Sequence, residues 1–184
     1  GTLDLSQDKT AVDFKVDIQH LNMNALQIVK DSLGVFKGHF ELMGIGENLD
    51  TFEGTVVAQN ASYTNSKENY TFENLLVTSQ FKENNTRRID IQSSDIVNGY
   101  IQGNFKYNQL KDIVENSLGS LYQNYSPNKI ATNQYIEYEL DIQNKIVDLL
   151  VPKLEISDDT SVSGKITADN GEFVLLMNTP FVKY

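Results

Sequence analysis

The two histidines are the side chains best suited to acid-base chemistry or metal binding, and neither has a partner at a useful spacing. His20 and His39 lack a second histidine or a carboxylate placed as in a His-Glu-x-x-His zinc site. The Gly-x-Ser-x-Gly turn that presents a hydrolase serine is absent. Residues 43–46 contain Gly-x-Gly, but neither a third glycine nor a helical pattern follows, which argues against a dinucleotide site. The sequence therefore predicts structural or surface histidines and no catalytic residue.

The carboxylates do not form a recognisable ion site either. The pairs Asp158-Asp159 and Asp169-Asn170 lack the spaced Asp-x-Asp-x-Asp-Gly pattern that surrounds a calcium ion. The chain has no cysteine, which excludes disulfides and thiolate metal sites within it and leaves its redox compartment open. We predict that the protein is not an enzyme and that it holds no metal and no cofactor.

The charge balance argues against nucleic acid as a partner. The net charge is −10 and the isoelectric point is near 4.6, whereas a phosphate-binding surface needs clustered lysine and arginine. Arg87 and Arg88 are the only adjacent basic residues, and we expect them to be a solvated pair beside a turn at Asn84-Asn85. The same acidity disfavours docking on an anionic bilayer surface.

A repeated heptapeptide indicates which secondary-structure elements would position these side chains. Residues 28–34, IVKDSLG, recur as residues 113–119, IVENSLG, with five of seven positions identical. Both copies follow alternating apolar residues, so the repeated unit is a strand followed by a helix. We predict one β-rich segment, residues 1–184, of a longer modular protein. The strand–helix repeats are expected near residues 11–36, 99–125 and 135–151.

Strict alternation of apolar and polar residues is the dominant signal along the chain. In residues 11–19, Val12 and Phe14 face one way while Asp13 and Lys15 face the other, as in a half-buried strand. Residues 169–171, Asp-Asn-Gly, predict a hairpin turn, and residues 173–177 beyond it are apolar on both faces. These five residues must be covered on both sides or pair with something outside the chain. Strands are predicted at residues 11–19, 37–45, 52–63, 70–82, 86–94, 98–107, 135–142, 160–168 and 171–178.

Three other segments have helical spacing, residues 23–36, 109–125 and 144–151. Such amphipathic helices need an apolar surface, which the apolar faces of the strands supply. Gly119 lies inside the second segment and indicates close packing or an early break there. The first stripe consists of Met23, Leu26, Val29, Leu33 and Phe36, and the second of Leu110, Val114, Leu118, Leu121 and Tyr125.

These elements predict a mainly β fold with two or three short helices. About nine strands with one apolar face each expose more apolar surface than three short helices can cover. We therefore expect a curled antiparallel sheet, trough-like (a β-taco) or sandwich-like, with amphipathic helices packed on its apolar face. The sequence leaves open whether the interior is an open groove or a closed core.

Several runs of the chain resemble one family of envelope proteins. They are residues 46–56 (GENLDTFEGTV), 63–65 (YTN), 70–75 (YTFENL), 89–97 (IDIQSSDIV), 103–107 (GNFKY) and 117–125 (SLGSLYQNY). Together they resemble the Bacteroidetes type of TamB-like translocation and assembly module proteins, in the AsmA/TamB superfamily. The similarity spans nearly the whole chain and includes no catalytic motif.

This resemblance implies a membrane-anchored protein of cell envelope biogenesis. The family has an inner-membrane anchor, a long periplasmic β-rich body with an apolar groove, and a contact with an outer-membrane barrel of the TamA or BamA type. Its implied work is phospholipid transport between the membranes or outer-membrane protein assembly. The present chain would be an internal periplasmic segment, and the anchor and the barrel contact would lie outside it. Its helices depart from a plain β-trough.

Two interpretations compete. In the first, inward side chains line an apolar groove that holds phospholipid acyl chains. In the second, the same residues are the core of a closed β-sandwich, a binding or spacer module of an adhesin or carbohydrate-binding type. In that case Tyr63, Tyr70, Tyr100 or Tyr135 would stack on sugars. The groove-lining residues predicted by the first interpretation are Val12, Phe14, Val16, Ile18, Phe72, Ile91, Phe105, Ile136, Tyr138 and Leu140.

Overall fold

The structure is a computed structural model that describes residues 1–4, 10–25, 34–119, 124–151, 153–158, 160–168 and 172–184. Most of these residues are in strands. The strands are β1 (Thr2–Asp4), β2 (Ala11–Asn22), β3 (Val35–Ile45), β4 (Glu53–Thr64), β5 (Asn69–Phe81), β6 (Arg87–Gln92), β7 (Val97–Asn104), β8 (Tyr135–Ile142), β9 (Glu155–Ile156), β10 (Thr160–Thr167), β11 (Glu172–Asn178) and β12 (Val182–Lys183). The helices are α1 (Leu110–Gly119) and α2 (Asn144–Leu150).

Ten strands form one antiparallel sheet in the order β1-β2-β3-β4-β5-β6-β7-β8-β10-β11. Each strand pairs with the next along the chain, except that β8 pairs with β10 because β9 pairs with β12 in a separate two-stranded sheet. Within the described residues the edge strands β1 and β11 do not pair with each other, so the sheet is open. The predicted fold class, a curled antiparallel sheet with short helices, is confirmed.

The register of the strands sorts the side chains onto two faces, because directly paired residues project from the same side of a sheet. On β8, Ile136 pairs with Gly103 of β7 and with Ile166 of β10. The next residue, Glu137, points the other way and pairs with Lys165 of β10. We call the side that carries Ile136 the apolar face and the side that carries Glu137 the polar face.

All nine predicted strands are present, with boundaries a few residues from those expected. Strands β10 and β11 pair as the predicted hairpin. The residues of its turn, 169–171, lie outside the described residues. Asp159, considered above as a possible calcium ligand, also lies outside them.

The helix predicted over residues 23–36 is wrong at its C-terminal end. Phe36 belongs to β3, where it pairs with Leu21 of β2 and Tyr63 of β4. Residues 23–25 form a turn, and residues 26–33 lie outside the described residues.

The other two predicted helices are confirmed, although the one predicted over residues 109–125 is shorter than expected. A 3₁₀ turn, Tyr107–Gln109, leads into α1, which is described to Gly119; residues 120–123 lie outside the described residues, and Tyr125 is not helical. A Cβ atom on Gly119 would clash with the Tyr125 ring, so the glycine permits the close packing that was expected. Helix α2 follows β8 directly. Neither described helix is long and apolar enough to cross a membrane.

Candidate functional site

Most of the predicted lining residues share the apolar face. The register connects them across the sheet: Phe14 pairs with Leu42 on β3, while Ile91 on β6 and Leu140 on β8 both pair with Gly99 of β7. The predicted lining residues that lie on this face are Val12, Phe14, Val16, Ile18, Ile91, Ile136, Tyr138 and Leu140.

Two predicted lining residues have different surroundings. Phe105 is not in a strand, since β7 ends at Asn104, and the prediction of a strand to residue 107 is wrong because the 3₁₀ turn before α1 begins there. Its side chain is nevertheless buried in the core. Phe72 lies on β5 outside the stretch that pairs with β6, and it is buried close to α2.

Helix α1 covers one part of the apolar face. The buried core consists of Ile89 of β6, Phe105, Ile113 of α1, Ile136 of β8 and Ile166 of β10. Burial of each such side chain contributes roughly 1.5–3 kcal/mol. We call the apolar face of β5 to β10, which packs with α1 around this core, the covered half. The partly buried side chains packed against this core are Val77, Ile91, Ile101, Tyr107, Leu110, Ile130, Tyr138 and Phe173.

The buried side of α1 differs from the stripe predicted for it. Ile113 is 0 % exposed, whereas Val114, which was assigned to the stripe, is 38 % exposed. Ser117, one turn after Ile113, is also buried and donates its hydroxyl hydrogen bond to the Ile113 carbonyl at 2.8 Å. The prediction for Val114 is therefore wrong. The spacing of Leu110 and Ile113, three residues apart, was the sequence signal for the observed orientation.

Toward β2, the apolar face carries neither of the two described helices. We call the apolar face of β2, β3 and β4 the open half. Its small residue Ala58 is buried, and its larger side chains are Val12, Phe14, Val16, Ile18, Phe40, Leu42 and Val56. None of these larger side chains is fully buried, and Phe14 is 49 % exposed. Among the described residues, neither helix lies across these strands. Within the described residues the open half is therefore a contiguous, partly exposed apolar surface, and apolar patches of this kind often mark a binding site.

An apolar cleft of about 320 Å³ borders the open half at one end of the sheet. The ring of Phe36 in this cleft lies 5.3 Å from the ring of Phe40 in the open half, so the two surfaces adjoin. Residues from both α2 and the strands enclose it. The cleft is lined by Met23, Phe36, Tyr63, Asn65, Phe72, Leu149 and Leu150.

Polar contacts fix α2 over this cleft. The Tyr70 hydroxyl donates a hydrogen bond to Asp148 Oδ2 at 2.9 Å, and Lys145 Nζ lies 2.7 Å from Asp95 Oδ2. Burial and the Asp148 carboxylate raise the pKa of Tyr70, so the phenol stays a donor. Burial alone would raise the pKa of Asp95, but hydrogen bonds from Lys145, the Glu73 amide and Ser93 lower it below its ordinary value. The carboxylate is therefore ionised at neutral pH and holds Lys145.

Arg87 is buried, and its prediction as a solvated residue is wrong. It is 2 % exposed and projects from the apolar face opposite Gly103, which has no side chain to obstruct it. Its guanidinium donates to the carbonyl oxygens of Asp50 and Phe52 and to Ser79 Oγ. It thereby pins the 3₁₀ turn Leu49–Thr51 to the sheet.

Arg88 is only partly solvated, whereas the turn before it is present as predicted. Arg88 lies on the polar face, where its guanidinium carbon is 3.9 Å from the centre of the Tyr100 ring and its Nε donates to Asp90 at 2.9 Å. The turn at Asn84-Asn85 is present, and both asparagines have positive φ.

His39 stands on the polar face between two carboxylates. Its Nδ1 lies 2.6 Å from Asp17 Oδ1 and its Nε2 lies 3.0 Å from Glu41 Oε1, while Glu41 also pairs with Lys15 at 2.8 Å. The hydrogen bonds to Glu41 and Asp17 raise the pKa of His39. Because the carboxylates occupy opposite ring nitrogens, they do not converge on one ion. His20 is exposed beside a register shift in β2.

The tyrosines proposed to stack on sugars do not form one exposed platform. Tyr63 lines the cleft and pairs with Tyr70, whose hydroxyl is bound to Asp148. The ring of Tyr100 is covered by Arg88. Tyr135 shares a hydroxyl contact of 3.3 Å with Thr86. Each ring is only partly exposed, and Tyr100 and Tyr135 lie away from the Tyr63–Tyr70 pair and from each other.

The described part of this face presents apolar side chains and not a cluster of reactive groups. The described side chains include no group of histidine, aspartate and glutamate residues placed to hold a metal ion. A long apolar face binds apolar ligands by burial alone, at roughly 25 cal/mol per Å². No protein-family model, no curated protein sequence and no solved structure matches this chain.

Proposed function

We propose that this chain is a non-enzymatic module of envelope biogenesis whose apolar face holds the acyl chains of phospholipids. The observation that carries the proposal is the open half, where Phe14 and its neighbours expose a contiguous apolar surface in the described structure. Acyl chains need continuous apolar surface and no polar recognition motif. In this proposal the open half and the adjoining cleft form one path along the sheet.

The dimensions of the sheet suit such a ligand. Along β2, the apolar-face residues from Val12 to Ile18 extend over roughly 20 Å at about 3.3 Å per residue. One leaflet of a bilayer has a hydrocarbon depth of roughly 15 Å, half of its core thickness. An acyl chain therefore fits within the face, and a longer protein built of such modules would present several chain lengths of groove.

The resemblance to TamB-like proteins supports the same proposal. It would place the module in the periplasm, as part of a protein anchored in the inner membrane and directed to an outer-membrane barrel. The competing spacer interpretation requires a second large sheet packed on the apolar face. In the described residues the second sheet consists of β9 and β12, with two residues each, which is too small for that role.

Photo-crosslinking at neighbouring positions of β2 tests the proposal. Phe14 and Lys15 are adjacent in sequence and project from opposite faces. A photoreactive phenylalanine analogue at Phe14 should capture labelled phospholipid from vesicles of phosphatidylethanolamine and phosphatidylglycerol, and the same analogue at Lys15 should capture little. Equal capture at both positions, or none at Phe14 in a folded protein, would overturn the proposal.

A further inference from the structure

Strand β11 is an edge strand that is apolar on both of its faces. It pairs with β10 on one side, and no described strand pairs with its other side. The sequence predicts that residues 173–177 must be covered or paired, yet the described residues leave four of them exposed, with Leu176 at 64 %. The exposed side chains are Val174, Leu175, Leu176 and Met177.

The chain after β11 does not return to this edge. Residues 182–183 form β12, which pairs with β9 instead. Near the opposite edge of the sheet, β2 carries charged side chains such as Lys15 and Asp17 at alternate positions. Charges of this kind discourage strand pairing, whereas β11 has none between Glu172 and Asn178. The free edge of β11 therefore has the character of a pairing surface.

We propose that β11 pairs antiparallel with β11 of a second copy of this chain, about a two-fold axis at Leu175. In this register Leu175 lies opposite its equivalent, Val174 opposite Leu176, and Phe173 opposite Met177. Glu172 falls opposite Asn178, so no like charges meet. The strand is thus complementary to itself, as an interface with two-fold symmetry requires.

The same register keeps the faces of the two sheets aligned. Phe173, Leu175 and Met177 all project from the apolar face, since they pair with Ile166, Gly164 and Val162 of β10. Across the two-fold axis these residues oppose one another. The apolar faces of two copies become one continuous surface, while Val174 and Leu176 cover each other on the polar side. The inference goes beyond lipid binding and does not depend on it.

The oligomeric state in solution is the first test. Sedimentation velocity of the purified chain over a range of concentrations should show a monomer–dimer equilibrium. Leu176→Lys should raise the dimer dissociation constant by at least about tenfold, because it places an unpaired charge in an apolar contact. Leu49→Lys is the matched control, at an apolar residue of the 3₁₀ turn with a similar exposure, and it should leave the equilibrium unchanged. Circular dichroism melts establish that both variants fold.

Crosslinking through a single cysteine tests the register, since the chain has no cysteine of its own. Leu175→Cys should form an intermolecular disulfide, because directly opposed residues have Cα atoms about 4.5–5.5 Å apart. Glu172→Cys should not, because the two copies of residue 172 would be roughly 20 Å apart at 3.3 Å per residue. Crosslinking of both variants would indicate parallel pairing and contradict the proposal. A monomer at every concentration, or a dimer that survives Leu176→Lys, would overturn it and leave the edge for a strand of another protein.

Discussion

The covered half and the open half of the apolar face are built from the same kinds of residues in the same alternation, but their exposure differs. Ile136 and Ile166 are buried beneath α1, whereas Phe14, on the same face of the same sheet, is half exposed. The sheet is continuous between them, so within the described residues the helix makes the difference. Alternation in a sequence therefore indicates which face is apolar, but it does not indicate whether that face is buried.

This difference separates two roles for apolar residues. In the covered half they supply the free energy that holds the fold together. In the open half they contribute less to stability and remain available to a ligand. Substitutions in the covered half should therefore act mainly on unfolding, and those in the open half mainly on lipid capture.

The largest effect is expected from truncating α1 at its buried residue. Ile113→Ala should lower the free energy of unfolding by about 2–5 kcal/mol, because Ile113 is fully buried and the surrounding core cannot collapse onto the cavity completely. Val114→Ala, the next residue, should cost less than about 1 kcal/mol because its side chain is partly exposed. Urea denaturation measures both. Equal costs would show that α1 presents a different side to the sheet.

A smaller loss of stability is expected when Arg87 is replaced. This residue holds the 3₁₀ turn Leu49–Thr51 against the covered half. Arg87→Met should cost about 1–3 kcal/mol, because the buried carbonyl oxygens of Asp50 and Phe52 lose their donors. Arg88→Met should cost at most about 1 kcal/mol, since its pair with Asp90 is partly solvated. Urea midpoints compare the two. A cost at Arg88 that exceeds the cost at Arg87 would contradict the assignment of Arg87 as the buried clamp.

A substitution in the open half should change the free energy of unfolding less than one at Ile113 or Arg87. Its main effect should be on lipid capture. Phe14→Asp should lower the free energy of unfolding by less than about 1.5 kcal/mol, since only half of the side chain is buried. It should nevertheless abolish lipid capture by a photoreactive analogue at Val16, its neighbour on the same face. Gln19→Asp adds the same charge to an exposed position of β2 and should leave capture intact. Equal losses in the two variants would mean that net charge, not the apolar face, governs capture.

The parts of the structure that the sequence predicts well depend on local pattern. Alternation placed most of the predicted strands, and the strand at residues 171–178 was predicted from the Asp-Asn-Gly turn before it. Through the register, alternation also placed Val12, Ile91 and Leu140 on one face. The choice between Ile113 and Val114 depends on where α1 meets the sheet, which helical spacing alone does not specify.

The parts that failed depend on distant partners. Arg87 is buried because Gly103 leaves space opposite it and because a turn near residue 50 presents carbonyl oxygens to it. Phe36 has helical spacing with residues before it, yet it pairs as a strand residue with Tyr63. Neither partner can be recognised from the local sequence. The candidate site was predicted as a set of inward residues, but its division into two halves follows from tertiary packing.

The smallest expected effect concerns the polar face of the open half, where neither of the described helices packs on β2 and β3. His39 bridges these strands by lying between Asp17 and Glu41. The hydrogen bond to Glu41, which has the larger effect, and the hydrogen bond to Asp17 raise the pKa of His39 above its ordinary value of 6.5. The protonated ring is thus held more tightly in the folded chain than in the unfolded one. Its contribution is fully present below pH 6.5 and is lost as the pH rises through the folded pKa.

The urea midpoint measured across this range tests that contribution. The wild-type protein should lose stability relative to His39→Gln as the pH rises from about 5.5 to 8.5, a range that spans the ordinary pKa of histidine. Asp17→Asn and Glu41→Gln should each weaken the same pH dependence, because each removes one acceptor of the imidazolium. Glu41→Gln also removes the partner of Lys15, so Lys15→Gln is its control and should keep the dependence on pH. If the wild type and His39→Gln change in parallel over this range, the histidine does not link β2 to β3 in a charge-dependent way, and pairing of the strands alone holds the open half together.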